Sequence, residues 1–168
     1  MDKPLVNAAF IDGNNLYKSG FDIGWKLDTR KFRIHLTETY QVRKAYYCIG
    51  YIPANTGLYS RLQSEGYELI FKKVQYINGQ PKGNIDAELV LKCMTQYRVY
   101  DKAVIITSDG DFACLVKHLI QKGKLRGVIA SKRVLCSDLL QEASGTYISY
   151  LNDLRKKLEY LQYRRGTS

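Results

Sequence analysis

Four aspartates stand at the ends of apolar runs in a chain that is otherwise basic. Asp109 and Asp111 flank one glycine in Ile106-Thr107-Ser108-Asp109-Gly110-Asp111-Phe112, just after Lys102-Ala103-Val104-Ile105. Asp12 follows Val6-Asn7-Ala8-Ala9-Phe10-Ile11, and Asp86 opens a segment that runs from Ile85 to about Tyr97. Carboxylates brought together repel one another and raise one another's pKa unless a cation holds them. A hard divalent ion such as Mg²⁺ or Mn²⁺ removes that penalty and prefers oxygen ligands. Such an ion lowers the pKa of a bound water and offsets charge at a phosphoryl centre, which is the chemistry of phosphodiester hydrolysis. Other nucleophiles are poorly supplied. G-x-S-x-G is absent, and His35 and His118 lie in no triad-like pattern. The phosphate-cradling patterns G-x-x-x-x-G-K-[ST] and G-x-G-x-x-G are missing as well.

Each aspartate also has a plain local reading. Asp12 in an Asp-Gly step is ordinary turn chemistry. Asp109 can cap a helix beginning near Gly110, with Asp111 in its first turn facing the helix dipole. Asp86 suits a first helical turn, with Glu88 placed to meet Lys92 at i+4. These readings do not require the four carboxylates to fall on one face, so the choice depends on the elements that carry them.

Those elements alternate. Val6–Ile11 reads as a buried strand running into an Asp12–Asn15 turn. Asp28-Thr29 caps a helix to about Tyr40, with Phe32, Leu36 and Tyr40 spaced by four. Lys44–Tyr51 is a second strand, Asn55 or Thr56 starts a helix that Gly66 stops, and Tyr67–Val74 is a third strand. The loop 75–83 holds an Asn78-Gly79 hairpin signal. After the helix from Ile85 come a strand at Lys102–Thr107, a helix from Asp109 to Lys122 and a strand at Gly127–Ser131. Ser137 caps a short helix, Tyr147–Leu151 is a sixth strand, and a last helix is expected at about 152–165 with Leu154, Leu158 and Leu161 in register. Regular alternation predicts one α/β domain over 1–168, with helices against a mostly parallel sheet. Ligands of such sheets bind beyond the C-terminal strand ends, where the strand order reverses. Asp12 and Asp109-Asp111 follow strands that neighbour each other in the common orders, and Asp86 is expected at the same edge.

The chain has 168 residues and a formal charge of +10, with 26 Lys and Arg against 16 Asp and Glu. That surplus suits a polyanionic partner. Lys72, Lys73 and Lys82 cluster near the third strand, Lys132 and Arg133 beside the fifth, and all are candidates for the phosphates of a nucleic acid. Tyr17 and Trp25 are the aromatic residues expected near the site for stacking, although Trp25 also reads as a packing residue. The four cysteines form no C-x-x-C pair, so buried thiols and a cytoplasmic setting are expected. No run approaches the roughly 18 apolar residues of a membrane span.

Three segments together carry a resemblance. Phe10-Ile11-Asp12-Gly13-Asn14-Asn15-Leu16, Lys82-Gly83-Asn84-Ile85-Asp86 and Thr107-Ser108-Asp109-Gly110-Asp111-Phe112 resemble, in order and spacing, the NYN-domain family, a bacterial branch of PIN-like metal-dependent nucleases. The match runs over about residues 5–151. It implies a PIN-like three-layer α/β/α sandwich around a mostly parallel sheet of five or six strands, with a Mg²⁺ or Mn²⁺ site that cuts RNA, single-stranded RNA being the expected substrate. By the resemblance Asp12, Asp86, Asp109 and Asp111 are the metal-binding and catalytic acids. Asn15 orients Asp12 or a water, Thr107 places a hydroxyl beside the metal, and Lys82 meets a phosphate. Two positions depart from the family: Ser108 stands where glycine is common, and Ala143-Ser144 where an Ala-Asp pair is common. A metal-dependent endoribonuclease is the first expectation. A non-catalytic RNA-binding or regulatory module of the same fold and another metal-dependent phosphohydrolase stay open, as do monomer and homodimer.

Overall fold

In the computed structural model, which describes residues 6–162, strands and helices alternate as β1 (Asn7–Asp12), α1 (Gly13–Ile23), α2 (Thr29–Tyr40), β2 (Val42–Tyr51), α3 (Thr56–Ser64) and β3 (Tyr67–Lys73). The hairpin β4 (Gln75–Ile77) and β5 (Gln80–Lys82) follows, then α4 (Asp86–Thr95), β6 (Ala103–Ile106), α5 (Ala113–Gln121), β7 (Leu125–Ala130), α6 (Asp138–Ser144), β8 (Ile148–Tyr150) and α7 (Arg155–Leu158). Six strands form one sheet in the order β3-β2-β1-β6-β7-β8, and every pairing in it is parallel.

A wholly parallel sheet is covered on both faces, so its strands read as unbroken apolar runs. All six residues of β1 and all four of β6 are buried. Alternate side chains feed two cores. Ala8 and Phe10 of β1 meet Leu89 and Cys93 of α4, Leu115 and Leu119 of α5 and Leu140 of α6. Ala9 and Ile11 point the other way, to Leu16 of α1, Phe32 and Leu36 of α2, Leu62 of α3 and Leu158 of α7. This is the three-layer α/β/α arrangement the alternation predicts.

Local signals set several boundaries. Asp28 caps α2 by accepting from the Lys31 N–H at 3.0 Å. Asn78 and Gly79 have φ of 52° and 72°, the two positive values that a tight hairpin turn between β4 and β5 needs. Among the described residues, no helix is long and apolar enough to cross a membrane.

Three expectations change, and of the two readings of Trp25 the packing one holds. The Asp12–Asn15 segment is not a free turn, because α1 starts at Gly13 with Asp12 as its N-cap. Asparagines are weak helix formers, and here the cap and the burial of Leu16 on β2 outweigh propensity. The C-terminal helix is shorter than 152–165: a 3-10 turn at Leu151–Leu154 leads into α7, which ends at Leu158, and Leu161 is exposed. Residues 163–165 of that span lie outside the described residues. Trp25 is buried, its indole N–H donating to Asn152 Oδ1 at 3.4 Å. Cys48, Cys93 and Cys136 are buried thiols, but Cys114 is exposed.

Gly13 is required by space. A Cβ there would stand 2.5 Å from the Cys48 carbonyl oxygen and 2.5 Å from Cε1 of Tyr47. Gly13→Ala therefore pushes α1 away from β2. The expected destabilisation is about 1–3 kcal/mol, seen as a melting temperature lower by several degrees.

Candidate functional site

β1 and β6 are direct neighbours, Ile11 opposite Ile106. The chain reaches β2 and β3 on one side of β1, and β6, β7 and β8 on the other. The strand order therefore reverses at the β1–β6 junction, which opens a crevice beyond their C-terminal ends. Asp12 and Thr107 lie there because each is the residue at or just past the end of its strand.

The side chains at that junction are tied together. Asp12 Oδ1 accepts from the Asn15 N–H at 3.0 Å, and Asp12 Oδ2 accepts from the Thr107 hydroxyl at 3.0 Å. The Thr107 oxygen in turn accepts from the Asp109 N–H at 3.1 Å. Asp109 caps the short turn Gly110–Phe112, taking the Asp111 N–H at 2.9 Å. Asn15 holds Asp12 through its backbone, and its side chain instead accepts from the Ser108 N–H at 2.9 Å. The Ser108 hydroxyl donates to Ser131 at the end of β7, at 3.0 Å. Ser108 thus links β6 to β7.

Asp86 is the first residue of α4, reached through the loop 83–85. Its N–H donates to Asn84 Oδ1 at 2.8 Å, the Asn84 carbonyl accepts from Lys72 Nζ at 2.6 Å, and the Gly83 carbonyl accepts from Asn14 Nδ2 at 3.2 Å. Lys72 also pairs with Glu88 at 3.3 Å. The 83–85 loop is thereby fastened to β3 and α1.

Together these constraints place carboxylate oxygens of Asp86, Asp109 and Asp111 within 4.8 Å of one another. Asp12 is not in that trio. It lines the same cleft as Asp86 and Asp109, of about 280 Å³, with both oxygens already engaged. Burial raises the Asp12 pKa from 3.8 to about 6, against the pull of its two hydrogen bonds, and the charges of Asp86 and Asp109 push it the same way. Asp86 is raised as well, first by partial burial and then by Asp109 and Asp111.

The donor set fits a hard cation. Three oxygens octahedrally placed about 2.1 Å from one ion are separated by about 3–4 Å, so the observed spacing needs little closure. No softer ligand stands among the three. His35 packs on Tyr40 in α2 and His118 lies against Tyr97, so neither histidine joins the acids.

The sequence-predicted basic residues divide. Lys72, Lys73 and Lys82 line a shallow cleft with Asn84, next to Asp86. Lys132 and Arg133 follow β7, the Arg133 guanidinium lying 5.0 Å over the Tyr150 ring. Sequence reasoning missed Lys18, which lines the clefts on both sides of Asp109. Its signal was helical spacing from Asn14 and Asn15, invisible while that segment was read as a turn.

A family model described as the NYN domain matches residues 7–154. The chain is 27% identical to the Low amplitude and bright protein LabA of Synechococcus elongatus, over 94% of this chain and 89% of that one. The crystal structure of a protein of unknown function from Vibrio parahaemolyticus is similar in fold, with a TM-score of 0.77 at 21% identity over 94% of this chain and 98% of that one.

Proposed function

The chain belongs to the NYN domain family, and from that premise we propose that it is a metal-dependent endoribonuclease acting on single-stranded RNA. The observation that carries the reading is the convergence of Asp86, Asp109 and Asp111 at the reversal of strand order, in a protein with a charge of +10. Asp86, Asp109 and Asp111 would hold Mg²⁺ or Mn²⁺. When bound, such an ion supplies an acidified water and a counter-charge for the phosphodiester. Asp12 acts from beneath: through the Thr107 hydroxyl it fixes the Asp109 backbone, and its buried charge adds to the field that favours a cation. Lys18 stands at the rim beside Asp109, and Lys73 and Lys82 beside Asp86, placed to take phosphate oxygens on either side. The three-layer domain is one unit in this reading, with Lys132 and Arg133 contributing to long-range attraction of RNA.

The test is incubation of end-labelled single-stranded RNA with Mn²⁺, with Mg²⁺ and with chelator. Internal cleavage is expected with either metal and none with chelator, and RNA binding is expected to weaken steeply with salt. Binding without cleavage would indicate a non-catalytic RNA-binding module. Hydrolysis of small phosphomonoesters with intact RNA would indicate a phosphohydrolase of another kind.

A further inference from the structure

A second cavity, of about 520 Å³, lies between α1, β2 and α3, with Tyr17, Phe21, Trp25, Tyr47, Leu58 and Arg61 in its walls. That volume is within the roughly 300–1,000 Å³ of pockets that hold small organic groups. On α1, Tyr17 and Phe21 are one turn apart, their rings edge to face at 5.5 Å. They are 69% and 74% exposed, so two large rings are presented to solvent on one helix face.

Behind them Tyr47 is only 5% exposed, and its hydroxyl, unpaired among the described residues, keeps contact with solvent through the cavity. Buried tyrosine hydroxyls usually find a partner. The neighbouring Tyr59 and Tyr67 do, donating to the Gly50 and Thr29 carbonyls at 3.1 and 2.6 Å. Arg61 stands at the rim, its side chain 54% exposed, in an i,i+4 ion pair with Glu65 at 3.9 Å that an exposed guanidinium gives up at little cost.

The cavity also connects to the acids. Tyr17 lines the adjoining cleft together with Asn14 and Gly83, and Asn14 lines the cleft of Asp12, Asp86 and Asp109. An aromatic slot, one unmet hydroxyl in its depth and a cation at its mouth suit a planar heteroaromatic ring that carries phosphate.

We infer that this cavity binds a base of single-stranded RNA, one or a few nucleotides from the phosphodiester held at Asp86, Asp109 and Asp111. The ring stacks on Tyr17 and Phe21, the Tyr47 hydroxyl bonds to its edge, and Arg61 takes a neighbouring phosphate. The inference rests on the ribonuclease reading of the acidic cluster.

The chain has one tryptophan, Trp25, and it lines this cavity, so its emission reports occupancy directly. Hexa-adenylate carrying a terminal fluorescein is titrated into full-length protein with Asp109→Asn, which separates binding from cutting. Anisotropy follows total binding, and unlabelled hexa-adenylate is used for the Trp25 emission. A saturable change in Trp25 emission is expected at the same midpoint as the anisotropy change. Tyr17→Ala and Phe21→Ala, both at exposed positions that leave the core intact, are each expected to weaken binding about tenfold or more. If the oligonucleotide binds by anisotropy but Trp25 is silent, or both variants bind like their parent, the inference is overturned and the ribonuclease reading stands. That is also the outcome if the cavity docks a protein segment instead. If the oligonucleotide binds by neither readout, both fall.

Discussion

Asp109→Asn is expected to lower Mn²⁺-dependent RNA cleavage by on the order of 10³-fold, the rate equivalent of about 4 kcal/mol, while the protein melts within a few degrees of its parent. The two halves of that result have separate causes. The capping role of Asp109 needs only an acceptor for the Asp111 N–H, and the asparagine oxygen supplies one. The Thr107 oxygen accepts from the backbone of residue 109, which the substitution leaves alone. The trio loses one of its three negative charges, and with it the attraction for a divalent ion. Single-turnover cleavage measures the first half, thermal melting the second, and calorimetric Mn²⁺ titration should show weakened binding. Asp86→Asn should behave alike, because the Asp86 N–H still donates to Asn84 Oδ1 and the asparagine oxygen can still accept from the Asn84 side chain. Lys82→Ala should differ in kind, raising the RNA concentration needed without a comparable fall in the saturated rate. Cleavage within about threefold of parent in both aspartate variants would mean that these carboxylates do not hold the metal, whatever the family resemblance implies.

Much of this arrangement was legible in the sequence, for physical reasons. A parallel sheet buried on both faces leaves continuous runs such as Ala8–Ile11 and Ala103–Ile106, and a strand end followed by Asp-Gly is hard to mistake. The adjacency of β1 and β6 follows from a topological habit of such sheets, so Asp12 and Asp109 could be placed near each other without coordinates. Propensity hid α1. Gly13-Asn14-Asn15 is turn-like by itself and becomes helical only because Asp12 caps it and Gly13 admits it against Tyr47 and Cys48. Missing that helix meant missing Lys18, and missing that Tyr17 and Phe21 share a face. The leucine spacing after Asn152 erred in the opposite sense. Leu158 is buried under α2, but Leu161 is exposed and the helix ends before it. Composition counts Lys72 among free cations. Only the fold shows it bound to Asn84 and Glu88, where it holds Asp86 in place as much as it attracts RNA.

Asp12→Asn is expected to do two opposite things: abolish activity and stabilise the metal-free protein at neutral pH. Asp12 is 4% exposed, and burial is the largest cause of the rise in its pKa from 3.8 to about 6. A carboxyl whose pKa is higher folded than unfolded binds its proton more tightly in the folded state. Its contribution to stability is therefore full below about pH 4, declines as the pH rises towards 6, and is lost above that. A shift of that size corresponds to at most about 3 kcal/mol, and the charge-assisted bonds from Asn15 and Thr107 that asparagine reproduces less well reduce the gain. In chelator at pH 7.5 the variant should melt about 2–6 °C above its parent, and at pH 4 the two should coincide. Mn²⁺ should then raise the parent more than the variant, narrowing or reversing the order, because only a cation offsets the charges the parent keeps. A variant less stable than its parent in chelator at pH 7.5 would show that the hydrogen bonds at Asp12 outweigh its desolvation, and that the carboxylate is there for the fold. The expected order gives Asp12 the other role. A buried charge that weakens the metal-free protein and is relieved by a divalent ion is a charge kept for that ion, as the chemistry of Asp86, Asp109 and Asp111 requires.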